Sequence, residues 1–438
     1  MKEREETVDP RQWRIDGIYQ QAGDNRFMQR IKVPAGVLGA SQARQVAELA
    51  DRFAGARLHL TCRGSIELHD LAAENLPEIG RRLALVGLTG RGACGGAVRG
   101  VSSSATFSSE FASCQVLARR LHRHFAGHPA FEGLPKKFKI GVEGDASGGR
   151  HLIQDLGLVH AGVKENRSLW DVWCAGGLGR EPQAGFLLGE RIPEERIIPL
   201  TEGILRVYRE HAAPGRRLKH LLRERGEKEF RHLLRQATGE LYPPQVENRF
   251  AGSLTVGEGS ETPVIVPVFA GELSTRLLLR LADAAELYAA DVLLLTSDQD
   301  IAFLPATNEA GEALARWFRE NETDTTTVAH NRVCRACPGN HECRMGLVPT
   351  REVAAEIGRL ADQLDTCPSI AISGCPNSCS QPQLADIGIV GSRLVKGEDG
   401  ARTPRFQVWR RTGLGLGEQY GDELTYDELL NTVQRLIS

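Results

Sequence analysis

Of ten cysteines in the chain, six fall in one short region: Cys334, Cys337, Cys343, Cys367, Cys375 and Cys379. Cys337 and Cys343 bracket five residues in CPGNHEC, and Cys375 and Cys379 bracket three in GCPNSC. Four thiolates are what an iron–sulfur cubane requires, because each iron needs one terminal soft ligand. A four-cysteine zinc site is the alternative, but structural zinc favours pairs two to four residues apart, and the five-residue bracket is loose for it. Pro and Gly in and beside both loops suit a backbone that bends sharply and brings amides towards sulfur. Cys334 would form a CxxC pair with Cys337 and is a rival ligand, as is Cys367. The plainer reading of both is a free thiol buried near a cofactor.

A second group of residues is cationic. In RLHLTCRGSIELHD the positions Leu58, Leu60, Cys62, Ile66 and Leu68 are apolar, whereas Thr61, Arg63, Ser65 and Glu67 are polar. That is the period of a strand with one face on a core, and its polar face would ordinarily meet water. KKFKIGV places Lys137 and Lys139 on one face of an extended segment, an arrangement tolerable in water or beside a bound anion. Arg30 in FMQRIKVP and Arg99 in GGAVRGV stand singly next to apolar, strand-like residues.

The elements that must position these groups form a repeat. IKVPAGVLGASQARQVAELADRFAGARLHLTCRGSIELHDL reads as strand, helix, strand, turn, strand, and VIVPVFAGELSTRLLLRLADAAELYAADVLLLTSDQDIAFL repeats the plan. Val33-Pro34 pairs with Val266-Pro267 and Leu60-Thr61 with Leu295-Thr296, so one small gap aligns the copies. After the first copy come Gly-rich turns, a helix near Glu110 to Phe125, a strand pair at Phe138 to Val142 and Leu152 to His160, and two helices between Glu194 and Gln236. After the second come a helix at Glu309 to Glu320, the cysteine segment, a helix at Arg351 to Leu364 and a strand at Ala371 to Ser373. Two pseudo-equivalent halves therefore meet at a shared site, with their seam near the Pro- and Gly-rich stretch Pro243 to Gly259.

Composition sets the limits. At 438 residues, with 41% hydrophobic and 25% charged content, the chain is a globular protein with several lobes of core. A formal net charge of −2 gives no field that would demand nucleic acid or an anionic membrane, so any anion site is local. The charged opening MKEREETVDPRQWR has no apolar signal segment, and no stretch is apolar enough to span a bilayer, which reads as cytoplasmic. Clustered cysteines in such a chain point to metal ligation rather than a disulfide scaffold.

At CPGNHEC and GCPNSC the sequence resembles the haemoprotein of the nitrite and sulfite reductase family. The likeness continues through LPKKFK (Leu134 to Lys139), Gly176-Gly177-Leu178 and LADIGIVG (Leu384 to Gly391). The resemblance implies an α+β fold, in which a pseudo-twofold repeat of two ferredoxin-like half-domains is combined with two α/β lobes that bind sirohaem and a [4Fe–4S] cluster. It divides the chain into 1–85 and 241–308 as the half-domains, 86–240 as the first sirohaem-binding lobe and 309–438 as the cluster lobe. Cys337, Cys343, Cys375 and Cys379 would bind the cluster, with Cys379 also ligating the sirohaem iron. The substrate quartet falls on Arg30, Arg99, Lys137 and Lys139. The sirohaem carboxylates would meet Thr61, Arg63, Ser65 and Lys219, with Asn377 nearby.

The activity implied is six-electron reduction of sulfite to sulfide, with nitrite reduction to ammonia as the alternative. The paired lysines of KFK resemble the sulfite enzymes, whereas nitrite reductases tend to carry asparagine at the position of Lys139. A precorrin-3B synthase-like enzyme is a further reading, against which Lys139 argues. Glu67 departs from the usual glutamine, and its carboxylate would be costly beside sirohaem unless protonated or paired with a cation such as Arg63. No nicotinamide- or flavin-binding unit is recognisable, since GLGLG near Leu414 lacks the strand and helix that such a motif needs. Electrons would therefore come from an external ferredoxin or flavoprotein reductase.

Overall fold

A computed structural model describes residues 12–23, 25–103, 110–239, 263–321, 334–361, 368–397 and 400–437. The seam expected at Pro243 to Gly259, and Cys367, lie outside the described residues. The architecture is mixed α/β, with ferredoxin-like half-domains of the nitrite/sulfite reductase fold.

The two copies of the repeat are interwoven. In the first, strand Arg26–Lys32 leads through a tight turn to strand Val37–Gly39, helix Ala40–Phe53 and strands Arg57–Leu60 and Ser65–Ala72. The second runs Val264–Val266, Glu272–Ser274, helix Thr275–Tyr288, Val292–Leu295 and Ile301–Phe303. Each copy donates its short strand to the other's sheet: Glu272–Ser274 pairs antiparallel with Arg57–Leu60, and Val37–Gly39 with Val292–Leu295. Small apolar residues at helical spacing (Ala43, Val46, Ala47 and Ala50 against Leu278, Leu281, Ala282 and Ala285) let the two helices pack face to face in one common core.

The strands and helices of the two copies keep one constant spacing along the chain, and at that spacing Val33-Pro34 is not the partner of Val266-Pro267. The turn that fixes the register is a left-handed Ala-Gly pair. Ala35 (φ 54°) and Gly36 (φ 77°) match Ala270 (φ 52°) and Gly271 (φ 74°). A Cβ on Gly36 would meet the Leu295 carbonyl at 2.5 Å, and one on Gly271 the Leu60 carbonyl at 2.7 Å, so each glycine is required by the other copy's strand end.

The lobes repeat as well. In the first, Ser102–Ser103, Ile140–Glu143 and Leu156–Lys164 run parallel, and Arg167–Cys174 and Phe186–Pro193 follow antiparallel. In the second, Cys334–Ala336, Ile370–Ser373 and Ile387–Lys396 are parallel, and Arg402–Arg410 and Glu418–Leu424 antiparallel. Helices Phe111–Phe125, Glu194–His211 and Leu218–Thr238 cover the first sheet, and Thr350–Ala361 and Tyr426–Ile437 the second. Ala35 is buried in the core of the first lobe and Ala270 in that of the second, so each half-domain docks its lobe through the same turn. Helix Asn308–Glu320 does not open the cluster lobe as expected from the division at 308/309. Its Leu314 is buried in the core shared by the half-domains.

Candidate active site

Arg30, Thr61, Arg63, Ser65, Arg99, Lys137 and Lys139 line one cleft with Cys337 and Cys379. The cleft has a cavity volume of about 160 Å³. Its cationic wall comes from the first half-domain and lobe. Its thiol wall comes from the second lobe, with Gln299 of the second half-domain between. The polar face of the segment from Thr61 to Glu67 does not meet water. Thr61 to Gly64 form the turn between two strands, and Ser65 and Glu67 are buried.

Backbone pairing sets the cations side by side. Arg99 N–H donates to the Phe138 carbonyl at 2.8 Å and Phe138 N–H to Ala97 at 3.0 Å, which lays the arginine alongside LPKKFK. Phe138 is buried while Lys137 and Lys139 are half-buried, the alternation expected of one extended face. Neither ammonium has an ion-pair partner among the described residues. Burial, then the Arg217 guanidinium, lowers Lys137 to about 8. Burial, then Lys137 and Arg63, holds Lys139 well below the ordinary lysine range. Both cations are short of counter-charge, as a site built for an anion requires.

The arginines are tied in place. Arg99 donates to the carbonyls of Gly92 (3.3 Å), Ala97 (3.4 Å) and Gly95 (2.9 Å). Arg63 donates to Gln154 Oε1 (2.7 Å), Gly100 O (2.8 Å) and Ile140 O (3.1 Å), and burial lowers its proton affinity to about 10. Arg63 is thus not the partner of Glu67. That partner is Arg30, whose Nε lies 2.9 Å from Glu67 Oε1, with a second contact from Nη2. Burial opposes ionisation of Glu67, but Arg30 and His69 outweigh it and hold the carboxyl far below its usual range. The buried pair resolves the cost of a carboxylate here, at the expense of freedom in Arg30.

Lys219 does not reach the cleft. Its Nζ donates to the carbonyls of Gly177 (3.3 Å), Leu178 (3.2 Å) and Glu181, which uses all three of its hydrogens. Its geometry is that of a pin for the Gly176-Gly177-Leu178 loop, not of a carboxylate contact. Asn377 also stands outside the cleft lining and donates from its backbone and side chain to the Cys375 sulfur.

The cysteine loops interlock through glycines. Gly374 N–H donates to Cys337 Sγ at 3.1 Å, Leu347 N–H to Gly374 O at 2.8 Å and Asn340 N–H to Val348 O at 3.0 Å. A Cβ on Gly374 would press on Gly339 Cα at 2.9 Å. Cys375 is buried and Cys379 and Cys343 are exposed. Burial and the neighbouring cysteines raise Cys337 and Cys343, and raise Cys375 to about 11. Such thiols ionise when a metal supplies positive charge. Cys334 is part of a strand, packed against the core of the second lobe.

Two features escaped the sequence reading although their signal is present. Asp155-Leu156-Gly157 recurs as Asp386-Ile387-Gly388, the entry to the third parallel strand of each lobe. Asp155, fully buried, accepts from Lys139 N–H at 2.9 Å and from Arg217 at 2.8 Å. Asp386 accepts from Ser369 N–H at 2.8 Å in the same way. The loops leading to these aspartates are the Gly144 to Gln154 segment in one lobe and the Cys375 to Ala385 segment in the other.

Comparison with known proteins identifies the family. Residues 19–86 match the nitrite/sulfite reductase ferredoxin-like half domain, and residues 94–241 match the nitrite and sulphite reductase 4Fe-4S domain. The chain is 27% identical to sulfite reductase [ferredoxin] 2 of Mycolicibacterium paratuberculosis over 97% of its length and 81% of that protein. It is 28% identical to ferredoxin–nitrite reductase of Synechococcus elongatus over 94% and 86%. The solved structure of Mycobacterium tuberculosis NirA superposes with a TM-score of 0.84 at 26% identity, covering 98% of this chain and 87% of that one. The chain belongs to the nitrite/sulfite reductase family and is an enzyme of that family. Its cofactors are a [4Fe–4S] cluster and sirohaem. The residues present fit both: four cysteines on two interlocked loops, and a cleft lined by Cys379 and a wall of cations. No helix among the described residues is long and apolar enough to cross a membrane.

Proposed function

We propose that the protein reduces sulfite to sulfide in the cleft, with electrons delivered by a ferredoxin. The observation that carries this reading is the pair of half-buried lysines, Lys137 and Lys139, on one face beside Arg99 and opposite Cys379. Cys337, Cys343, Cys375 and Cys379 would hold the cluster, and Cys379, which alone of them is both exposed and in the cleft with the cations, would be the thiolate it shares with sirohaem. When bound, the two cofactors would supply the electrons that the reduction consumes.

The chain's own residues do the rest. Sulfite is an anion, and a macrocycle crowded with carboxylates would repel it without cations across the cleft. Arg99, fixed by three carbonyls, offers a rigid fork, and Arg30, held by Glu67, a second. Lys137 and Lys139 hold protons weakly, so each can pass one to an oxygen leaving as water. Asp155 keeps the lysine strand in register through the Lys139 backbone. Thr61, Arg63 and Ser65 line the same space and would meet the macrocycle's carboxylates.

Anaerobically purified protein should be coloured and should consume sulfite with reduced ferredoxin, or a reduced dye, in preference to nitrite. Lys139→Asn should move preference towards nitrite. Nitrite turnover well above that of sulfite would replace this reading with the nitrite reductase one, which the cyanobacterial relative supports.

A further inference from the structure

Thr296–Asp300 is the counterpart in the second half-domain of the turn Thr61–Ser65. The backbones match bond for bond. Thr61 N–H donates to Ser65 O and Thr296 N–H to Asp300 O, both at 2.9 Å. Each threonine hydroxyl accepts from the residues two and four further on. Only the threonine is shared in sequence, and the pair at the tip is Arg63-Gly64 in one half and Asp298-Gln299 in the other.

Gln299 occupies the left-handed region (φ 70°), where its counterpart is a glycine (φ 60°). A side chain kept at such a position has work that offsets the strain. Gln299 is 1% exposed. Its Nε2 donates to Leu60 O (2.5 Å) and Ala336 O (2.8 Å), and its Oε1 accepts from Ala336 N–H (2.8 Å). Ala336 immediately precedes Cys337. The neighbouring Asp298 Oδ1 accepts from Arg335 (2.7 Å) and from Arg150 of the first lobe (2.6 Å). Arg335, itself buried, donates from Nε to Ser380 O at 3.2 Å. Ser380 immediately follows Cys379, and its hydroxyl lies 2.7 Å from that of Ser373.

We infer that this turn is the device that sets the positions of Cys337 and Cys379, with Gln299 and Asp298 as its positioning residues. Two adjacent side chains of the rigid half-domain core grip the residues next to the two cysteines that face the cleft. Gln299 acts directly on Ala336, and Asp298 acts through Arg335. The inference rests on the reading of those cysteines as ligands. It adds that their spacing is imposed from outside their own lobe.

Gln299→Gly is the decisive variant, because glycine suits the left-handed backbone and leaves Ala336 without its partner. Asp298→Asn keeps shape and removes charge. Each is purified as holoprotein, and iron content, the visible spectrum, the midpoint potentials and the rate of iron loss to a chelator are compared with the unaltered protein. Circular dichroism and the thermal midpoint report the fold. Loss of outer-shell partners commonly costs 10–100-fold in metal affinity, so Gln299→Gly should release iron about tenfold faster, with shifted potentials and an intact fold. Asp298→Asn should change the same quantities less. Unaltered iron release and potentials in both variants would overturn the inference while leaving the cysteine assignment standing. An unaltered protein without iron would remove the assignment and the inference together.

Discussion

The two lobes share one sheet order, parallel through three strands and antiparallel through two, and one Asp-x-Gly entry to the third strand. They differ in what their loops carry. The loop before Asp386 bears Cys375 and Cys379, whereas the equivalent loop before Asp155 bears Gly148, Gly149 and Arg150. Conversely, the segment leading into the second strand carries Lys137 and Lys139 in one lobe and Ser369 in the other. A duplicated scaffold thus brings two chemistries to one cleft, soft thiolates on one side and under-compensated cations on the other. The division of labour lies in the loops, and the common frame keeps the two sides in register.

The comparison can be broken at several strengths. Cys379→Ser should abolish turnover and alter the visible spectrum, whereas Cys334→Ser, a change to a residue on the strand packed in the second lobe's core, should retain cluster iron. Equal loss in both would mean that the cysteine lobe is wrongly divided. Lys137→Met or Lys139→Met should lower kcat/KM for sulfite by about 10²–10⁴, the usual contribution of a positioned proton donor, with iron content unchanged.

Below that comes pH. Lys137, lowered to about 8 mainly by burial, carries its charge below that value and loses it above. kcat/KM should therefore fall as pH rises through about 8, and Lys137→Arg should shift the limb to higher pH. An alkaline limb identical in that variant would assign it to another group. Smallest in its effect on chemistry is the frame itself. A Cβ on Gly157 would collide with the His151 carbonyl, and one on Gly388 with that of Pro382. Gly157→Ala and Gly388→Ala should each cost about 1–3 kcal/mol in urea unfolding, the usual penalty of overpacking. A cost in only one lobe would deny their equivalence.

Much of this was legible in the sequence, because it rests on local pattern. Cysteine spacing pointed to the cluster loops, period-two alternation gave the lysine face, and helical spacing gave both half-domain helices. The exchange of strands between half-domains was not legible, since Val37–Gly39 and Glu272–Ser274 are three residues each and pair across more than 200 positions. The register of the repeat was misjudged because Val-Pro looked diagnostic, whereas the physical constraint is the left-handed Ala-Gly turn. Partner choice was also hidden. Arg30 rather than Arg63 pairs with Glu67, and Lys219 spends its hydrogens on carbonyls, because both depend on which strands become neighbours. The Asp155 and Asp386 repeat could have been read from DLGLV and DIGIV, and would have extended the duplication to the lobes.

The most direct test of a shared cleft is a sulfite titration of the purified holoprotein followed in its visible bands, alongside Lys137→Met. The account requires sulfite to perturb the sirohaem spectrum of the unaltered protein, and to do so at least tenfold more weakly in the variant, whose iron content stays the same. Equal sulfite affinity in both proteins would contradict it, by separating the cations of one lobe from the chemistry of the other.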